Sequence, residues 1–352
     1  MKKYFISASM VAAVLVLSGC SLMPVQPTTQ NQPNKTYAVS QSFWKSTDSG
    51  KTWQVKDTTK QTPTVTDWDV IRIEIDPTNS NIIYAGLKDG GIVKTEDGGD
   101  TWNFTNFVSG RPYAIEIDPG NNKVIYASGI WQKRGKMFKT EDQGATWKEI
   151  YTSPVDGPFI TSSAMDKNDT QTLYIGNTDS QILKSTDGGS SWVNIYKANA
   201  SISKIFLDKS DSNIVYVLTI TGSLYRSRDA GQTFEDITSK IGGSGILTIA
   251  IDPGISQGVY AAGTGGMFRS KDAGDNWEKV NPLNDSGKYP ITAIAINPQN
   301  SREIIYATSQ AAYKSEDSGA SWTPYQFTSG KYIDIIKYDP TNPSLVYVGF
   351  KK

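Results

Sequence analysis

Short runs of alternating apolar and polar residues follow one another along most of the chain. One cycle reads Val-Ile-Arg-Ile-Glu-Ile (70–75), Ile-Ile-Tyr-Ala-Gly (82–86), Gly-Ile-Val-Lys-Thr (91–95) and Thr-Trp-Asn-Phe-Thr (101–105). A period of two belongs to half-buried strands, and no 3.6-residue period intervenes. Polar clusters rich in Gly, Asp, Asn, Ser and Thr separate the runs, as hairpin turns require. Each cycle therefore predicts four short strands, A to D.

The cycle repeats. The turn between strands C and D reads STDSGKTW (46–53), TEDGGDTW (95–102), TEDQGATW (140–147), STDGGSSW (185–192), SRDAGQTF (227–234), SKDAGDNW (270–277) and SEDSGASW (315–322). Its aspartates, Asp48, Asp97, Asp142, Asp187, Asp229, Asp272 and Asp317, lie 42 to 49 residues apart. The turn between strands A and B recurs as IDPTNSNIIY (75–84), then around Asp118, Asp166, Asp208, Asp252 and Asn297, and last as YDPTNPSLVY (338–347). Four strands about every 45 residues is the arithmetic of a β-propeller. The first C–D turn has no A–B phrase before it, and the last A–B phrase has no C–D turn after it. The expectation is an all-β, seven-bladed propeller of four-stranded blades. One blade, counted here as blade 1, would take A and B from the C-terminus and C and D from the N-terminus, which covers otherwise open sheet edges.

The N-terminal stretch has a different pattern. Met1-Lys2-Lys3 precedes a charge-free, mostly apolar run, Tyr4–Leu17, and then Leu17-Ser18-Gly19-Cys20. A basic start, a short apolar segment and small residues before a cut describe a secretory signal; the run is shorter than the roughly 20 residues a spanning helix needs. The form resembles a bacterial lipoprotein signal. That resemblance implies a signal peptide over 1–19, lipidation at Cys20, an extracytoplasmic location and, with Ser21 next, the outer membrane in a Gram-negative cell. Residues 20–36, with three prolines and no apolar period, read as a tether, and 37–352 as one propeller domain.

The phrase Ser/Thr-x-Asp-x-Gly-x-x-Trp/Phe resembles the Asp-box, or BNR, repeat, and its seven copies cover the chain from about 37 to 352. That repeat occurs in sialidases, xyloglucan-cleaving glycosidases, the sortilin luminal propeller and the seven-bladed photosystem II assembly and stability factors. The resemblance implies the fold. It leaves function open, because one scaffold serves enzymes, receptors and assembly factors. Seven equivalent aspartates around a ring cannot converge on one substrate or ion, so they are expected to fix turns, with the glycine allowing positive φ and the aromatic filling the gap between blades.

Composition narrows the function. Thirty-five basic residues balance 35 acidic ones, which gives no basic field for nucleic acid. Histidine, the commonest general base and metal ligand, is absent. No metal or cofactor is expected, and the propeller is expected to be monomeric. With Cys20 lipidated, no cysteine remains for a disulfide.

Candidate sites are sought where the copies differ. The B–C loops and D–A links share the less regular face of the disc. Trp68 ends the longest link (57–69). Trp131 lies in the longest B–C loop (129–136) with Lys133, Arg134 and Lys136, and Arg111 precedes the next strand. An aromatic among cations suits a peptide, a sugar or a carboxylate. On the channel-facing side of strand A, Lys337, Arg72 with Glu74, and Glu116 fall on blades 1, 2 and 3, either as inter-blade ion pairs or as a polar site. Two functions stay open. One is a non-catalytic lipoprotein that binds an envelope protein or a glycan, resembling the photosystem II assembly factor group in its single ring and size. The other is a glycoside hydrolase using Glu74 and Glu116. The Arg-Ile-Pro phrase of sialidases is missing, and the chain has only seven arginines.

Overall fold

The computed structural model describes residues 41–57, 68–107 and 109–352. The expected signal, lipidated cysteine and tether lie outside the described residues.

Twenty-eight strands form seven four-stranded antiparallel sheets. Strands β1 (Phe43–Ser46) and β2 (Gln54–Val55) belong to blade 1. Blades 2 to 7 follow in order within 70–104, 115–152, 160–197, 202–236, 246–280 and 293–326. Strands β27 (Tyr332–Tyr338) and β28 (Val346–Lys351) then complete blade 1 in the order β2-β1-β28-β27. Trp44 pairs with Val348, and Val348 pairs with Ile336, so the two ends of the chain share one ladder. The expected closure is present. The innermost A strands touch one another in a closed circle around a channel.

The seven C–D turns are built alike. In blade 4 the Ser185 hydroxyl donates to Asp187 (2.8 Å) and accepts from the Gly189 N–H (2.9 Å), while Asp187 accepts from the Ser191 N–H (2.8 Å) and hydroxyl (2.6 Å). The leading Ser/Thr is thus a relay between carboxylate and glycine, a role its position alone did not disclose. Gly189 has φ +87°, and a Cβ there would lie 2.5 Å from Ile150 of the preceding blade, so glycine is needed for both conformation and space. The A–B turns use a second repeated device. Asp76, Asp118, Asp166, Asp208, Asp252, Asn297 and Asp339 each accept the N–H two residues on.

The box aromatics and strand-B tyrosines bind blade to blade. Each box aromatic meets the blade before it, as in Trp192 with Tyr151 and Phe234 with Tyr196. In the other direction, the fully buried Tyr84, Tyr126 and Tyr174 donate to backbone carbonyls in the next blade's box turn. Burial raises the phenol pKa of each.

The turn aspartates make acid stability a test of this scaffold. In Asp187, Asp229 and Asp317 the hydroxyl four residues on contributes most to holding the pKa down at about 2; in Asp142, also about 2, the Thr140 hydroxyl does. A carboxylate depressed from 3.8 to about 2 adds stability above pH 3.8, and that contribution is lost as pH falls toward 2. Stability in urea is expected to fall steadily between pH 4 and pH 2. An Asp187→Asn variant should be less stable than wild type at pH 7 and show a shallower acid slope; an identical slope in the two proteins would contradict this origin.

Candidate functional site

Because strands alternate direction, the box hairpins and A–B turns lie on one face of the disc, and the B–C loops and D–A links on the other. The second, the loop face, carries the expected irregularity. In blade 3 the B–C connection is an extension of the sheet rather than a loop: strands run to Trp131 and resume at Arg134, which pair directly. Only Gln132 and Lys133 turn, with φ +52° and +59°, left-handed values that favour glycine. Trp131 stays 42% exposed at this tip and Lys133 is exposed beside it. Arg134 is more fixed, its guanidinium donating twice to the Ser153 carbonyl. Lys136 is buried and paired with Glu149, so it serves the sheet. Arg111 pairs with Asp89 at 3.0 Å. Ser109, two residues before it, donates to the Ile130 carbonyl and fastens that link beside the hairpin.

Trp68 corrects the sequence reading. It is 1% exposed, edge-on to Trp102 at 6.0 Å, and its carbonyl accepts from Ser42 and Lys331. Its large apolar ring is worth more in the gap between blades 1 and 2 than on the surface. It belongs to the core and cannot receive a partner.

A broader pattern escaped the sequence reading. Among the described residues eight large apolar side chains are exposed: Trp131, Val155, Val193, Ile220, Leu247, Leu283, Tyr289 and Tyr332. All but Val193 occupy B–C loops, D–A links or the loop-face ends of strands. They spread over blades 1, 3, 5 and 6 and the links between, so irregularity is not confined to blades 1 to 3. By residue type alone, Val155 or Ile220 is indistinguishable from core. The signal available was position, because both fall in connections rather than strands.

The channel holds the charged residues expected there and several more. Lys337 of blade 1 pairs with Glu74 of blade 2. Glu116 of blade 3 is 3.5 Å from Lys167 and accepts from the Ser163 hydroxyl at 3.2 Å. Burial raises the Glu116 carboxyl, opposed by Lys167 and assisted by the nearby Glu74. Arg72 donates to the carbonyls of Ile71 and, across the channel on blade 4, Thr161. Ion pairs bridge blades 1 and 2 and blades 3 and 4, and Arg72 stands apart from them.

The family model for sortilin (neurotensin receptor 3) matches residues 41–181. A xyloglucanase from Paenibacillus is 23% identical over 170 residues, 37% of this chain and 17% of that enzyme. Among solved structures, the GH74 xyloglucanase from Xanthomonas campestris superposes with a TM-score of 0.68 at 16% identity, covering 81% of this chain and 51% of that one. YCF48 from Cyanidioschyzon merolae gives 0.59 at 16%, covering 82% and 98%; YCF48 bound to D1 peptide gives 0.63 at 15%, covering 81% and 93%. At these identities the likeness establishes the propeller fold alone. The chain spans about half of the Xanthomonas enzyme and under a fifth of the Paenibacillus one.

Proposed function

We propose that this protein is an extracytoplasmic lipoprotein, anchored through Cys20, whose propeller binds a protein partner on its loop face. The observation that carries this reading is the distribution of exposed apolar side chains, seven of eight on that face. Apolar residues scattered singly need no explanation, but their segregation to one side of a disc supports an interaction surface there. Trp131 at the tip of a left-handed turn, with Lys133 and Arg134 beside it, supplies an aromatic and cationic anchor of the kind that dominates interfaces. Arg111 borders the same patch. Similarity to YCF48, which has been seen with a bound D1 peptide, supports a peptide or protein partner.

The test is affinity capture of the full-length protein from its own membranes, comparing wild type, a Trp131→Ala/Tyr332→Ala pair and Val193→Ala. The loop-face pair is expected to lose a specific partner at least about tenfold, with Val193→Ala unaffected. Equal capture by all three would overturn the assignment.

A second reading, glycoside hydrolysis, draws support from Glu116, whose raised pKa beside Glu74 suits a general acid, and from the xyloglucanase relative. Both carboxylates are engaged by lysines, which makes it the weaker reading. Turnover of xyloglucan or aryl glycosides that Glu116→Gln abolishes would establish it.

A further inference from the structure

The channel carries more positive charge than its ion pairs use. Among the described residues six cations reach into it or its mouths: Arg72, Lys167, Lys204, Lys209, Lys337 and Lys351. Three carboxylates answer them, Glu74 with Lys337, Glu116 with Lys167 at 3.5 Å, and Asp334 with Lys351 at 2.5 Å. Among the described residues no carboxylate lies within 4.0 Å of Arg72, Lys204 or Lys209. Two of these three share one height. Arg72 and Lys204 stand four residues before the Asp that ends their A strands, and so does Thr248 on the neighbouring blade 6. The Lys204 ammonium donates to the Thr248 hydroxyl at 3.2 Å. Several channel-facing positions around them are small, Ala114, Ser162 and Ala293 at the same height and Ala164, Ala250 and Ala295 one step below, whereas Ile335 and Phe206 are large.

Such an arrangement is costly to the fold. Burial, then the charge of Arg72, holds the Lys204 pKa down at about 8, with only partial relief from Asp334. A buried cation without a carboxylate destabilises the native state, and an apolar residue of similar size is often better tolerated. Groups kept in such a place are candidates for binding rather than support. The donors also differ in kind: a planar guanidinium, an ammonium and a hydroxyl approach from blades 2, 5 and 6. Three donors from separate directions match an anion whose oxygens point in several directions, more closely than a planar carboxylate with two.

We propose that Arg72, Lys204 and Thr248 form a binding site in the channel for a tetrahedral oxyanion, a phosphate or phosphoryl group. The site is separate from the partner surface on the loop face and does not depend on it. Bound anion would supply the missing countercharge and fix Arg72, whose guanidinium otherwise donates, among the described residues, to the backbone carbonyls of Ile71 and Thr161.

The experiment is calorimetric titration of the purified full-length protein at low ionic strength with inorganic phosphate, a phosphate monoester such as glycerol 3-phosphate, and acetate. Phosphate is expected to bind at one site per chain and acetate at least tenfold more weakly. Tighter binding of the monoester than of the free ion would identify a phosphoryl group on a larger molecule as the natural occupant; the reverse would identify the free ion. Lys204→Met and Arg72→Met should each weaken binding at least tenfold, and Lys123→Ala on the opposite face should not. Affinity should decline from pH 7 to pH 9 as Lys204 loses its proton. Arg72 stays charged over that range, and the other charges facing Lys204, Asp334 and Lys351, lie 2.5 Å from each other. Thermal unfolding separates binding from a structural role: Lys204→Met should melt at or above the wild-type temperature, and phosphate should raise the melting temperature of wild type only. Absence of saturable phosphate binding, or equal affinity in Lys204→Met, would overturn the proposal.

Discussion

Removing residues 346–352 is expected to abolish the cooperative fold. These residues contain β28, which lies between β27 and β1 and hydrogen-bonds to both. Without it, β1 and β2 lose their link to the inner strand of blade 1 and the ring opens. Val346, Tyr347, Val348 and Phe350 are fully buried. At about 1.5–3 kcal/mol for each large apolar side chain, their loss removes roughly 6–12 kcal/mol. A domain is typically stable by about 5–15 kcal/mol in total. The truncated chain should be aggregated or should lack a sharp thermal transition by circular dichroism. A truncated protein that stays monomeric and melts cooperatively near the wild-type temperature would show that closure through blade 1 is dispensable.

The second large effect is expected at Trp102. Its ring is fully buried, 4.7 Å from Phe43 in β1 and edge-on to Trp68, and its indole N–H donates to the Lys56 carbonyl at 2.7 Å. This one side chain joins blade 2 to the N-terminal half of blade 1, next to the seam. Trp102→Ala should cost about 3–5 kcal/mol in urea denaturation. Trp192, which is only half-buried and meets Tyr151 at 6.0 Å, should cost less when truncated. Equal costs at the two positions would mean that the seam is no more demanding than any other blade junction.

The contrast between these two tryptophans shows what a sequence discloses. Strand count, blade number and the split blade were legible, because the box and the A–B phrase repeat and each copy reinforces the others. The Asp-to-backbone turn was legible too, since Asp and Gly at a fixed offset have few other uses. Trp68 was misread because a lone tryptophan at the end of a long polar link looks like a surface residue; only the three-dimensional gap beside Trp102 shows where it goes. The apolar residues of the loop face were hidden for the opposite reason. Val155, Leu283 and Tyr332 have the residue types of core, and sequence does not mark which apolar side chains fail to find cover. The channel was half legible. Aligning strand A set Glu74, Glu116, Arg72 and Lys337 at channel-facing positions, and Lys337 does meet Glu74 across blades 1 and 2. Neighbours in blade order, however, are not the only neighbours in a ring. Arg72 meets blade 4 across the channel, and Lys167 and Lys209 reach it from A–B turns rather than from the strand A positions that were aligned. Lys209, at the turn-face mouth, shows the consequence: shielding by the channel walls, then the charge of Lys337, lowers its pKa.

Function on this reading divides by location. The repeated turns, tyrosines and box aromatics make a stiff ring. Two departures from the repeat sit on it: an apolar face with an aromatic, cationic tip, and a core of unanswered positive charge. Neither departure is needed for closure, so substitutions there should spare folding, whereas those at the seam should not.

The most direct measurement is hydrogen exchange on the full-length protein before and after capture of the proposed partner. Protection confined to loop-face peptides, 129–136, 153–160, 281–292 and 327–333, is the result expected. Protection falling instead on the box hairpins, such as 185–192 and 270–277, with the loop face unchanged, would contradict the account.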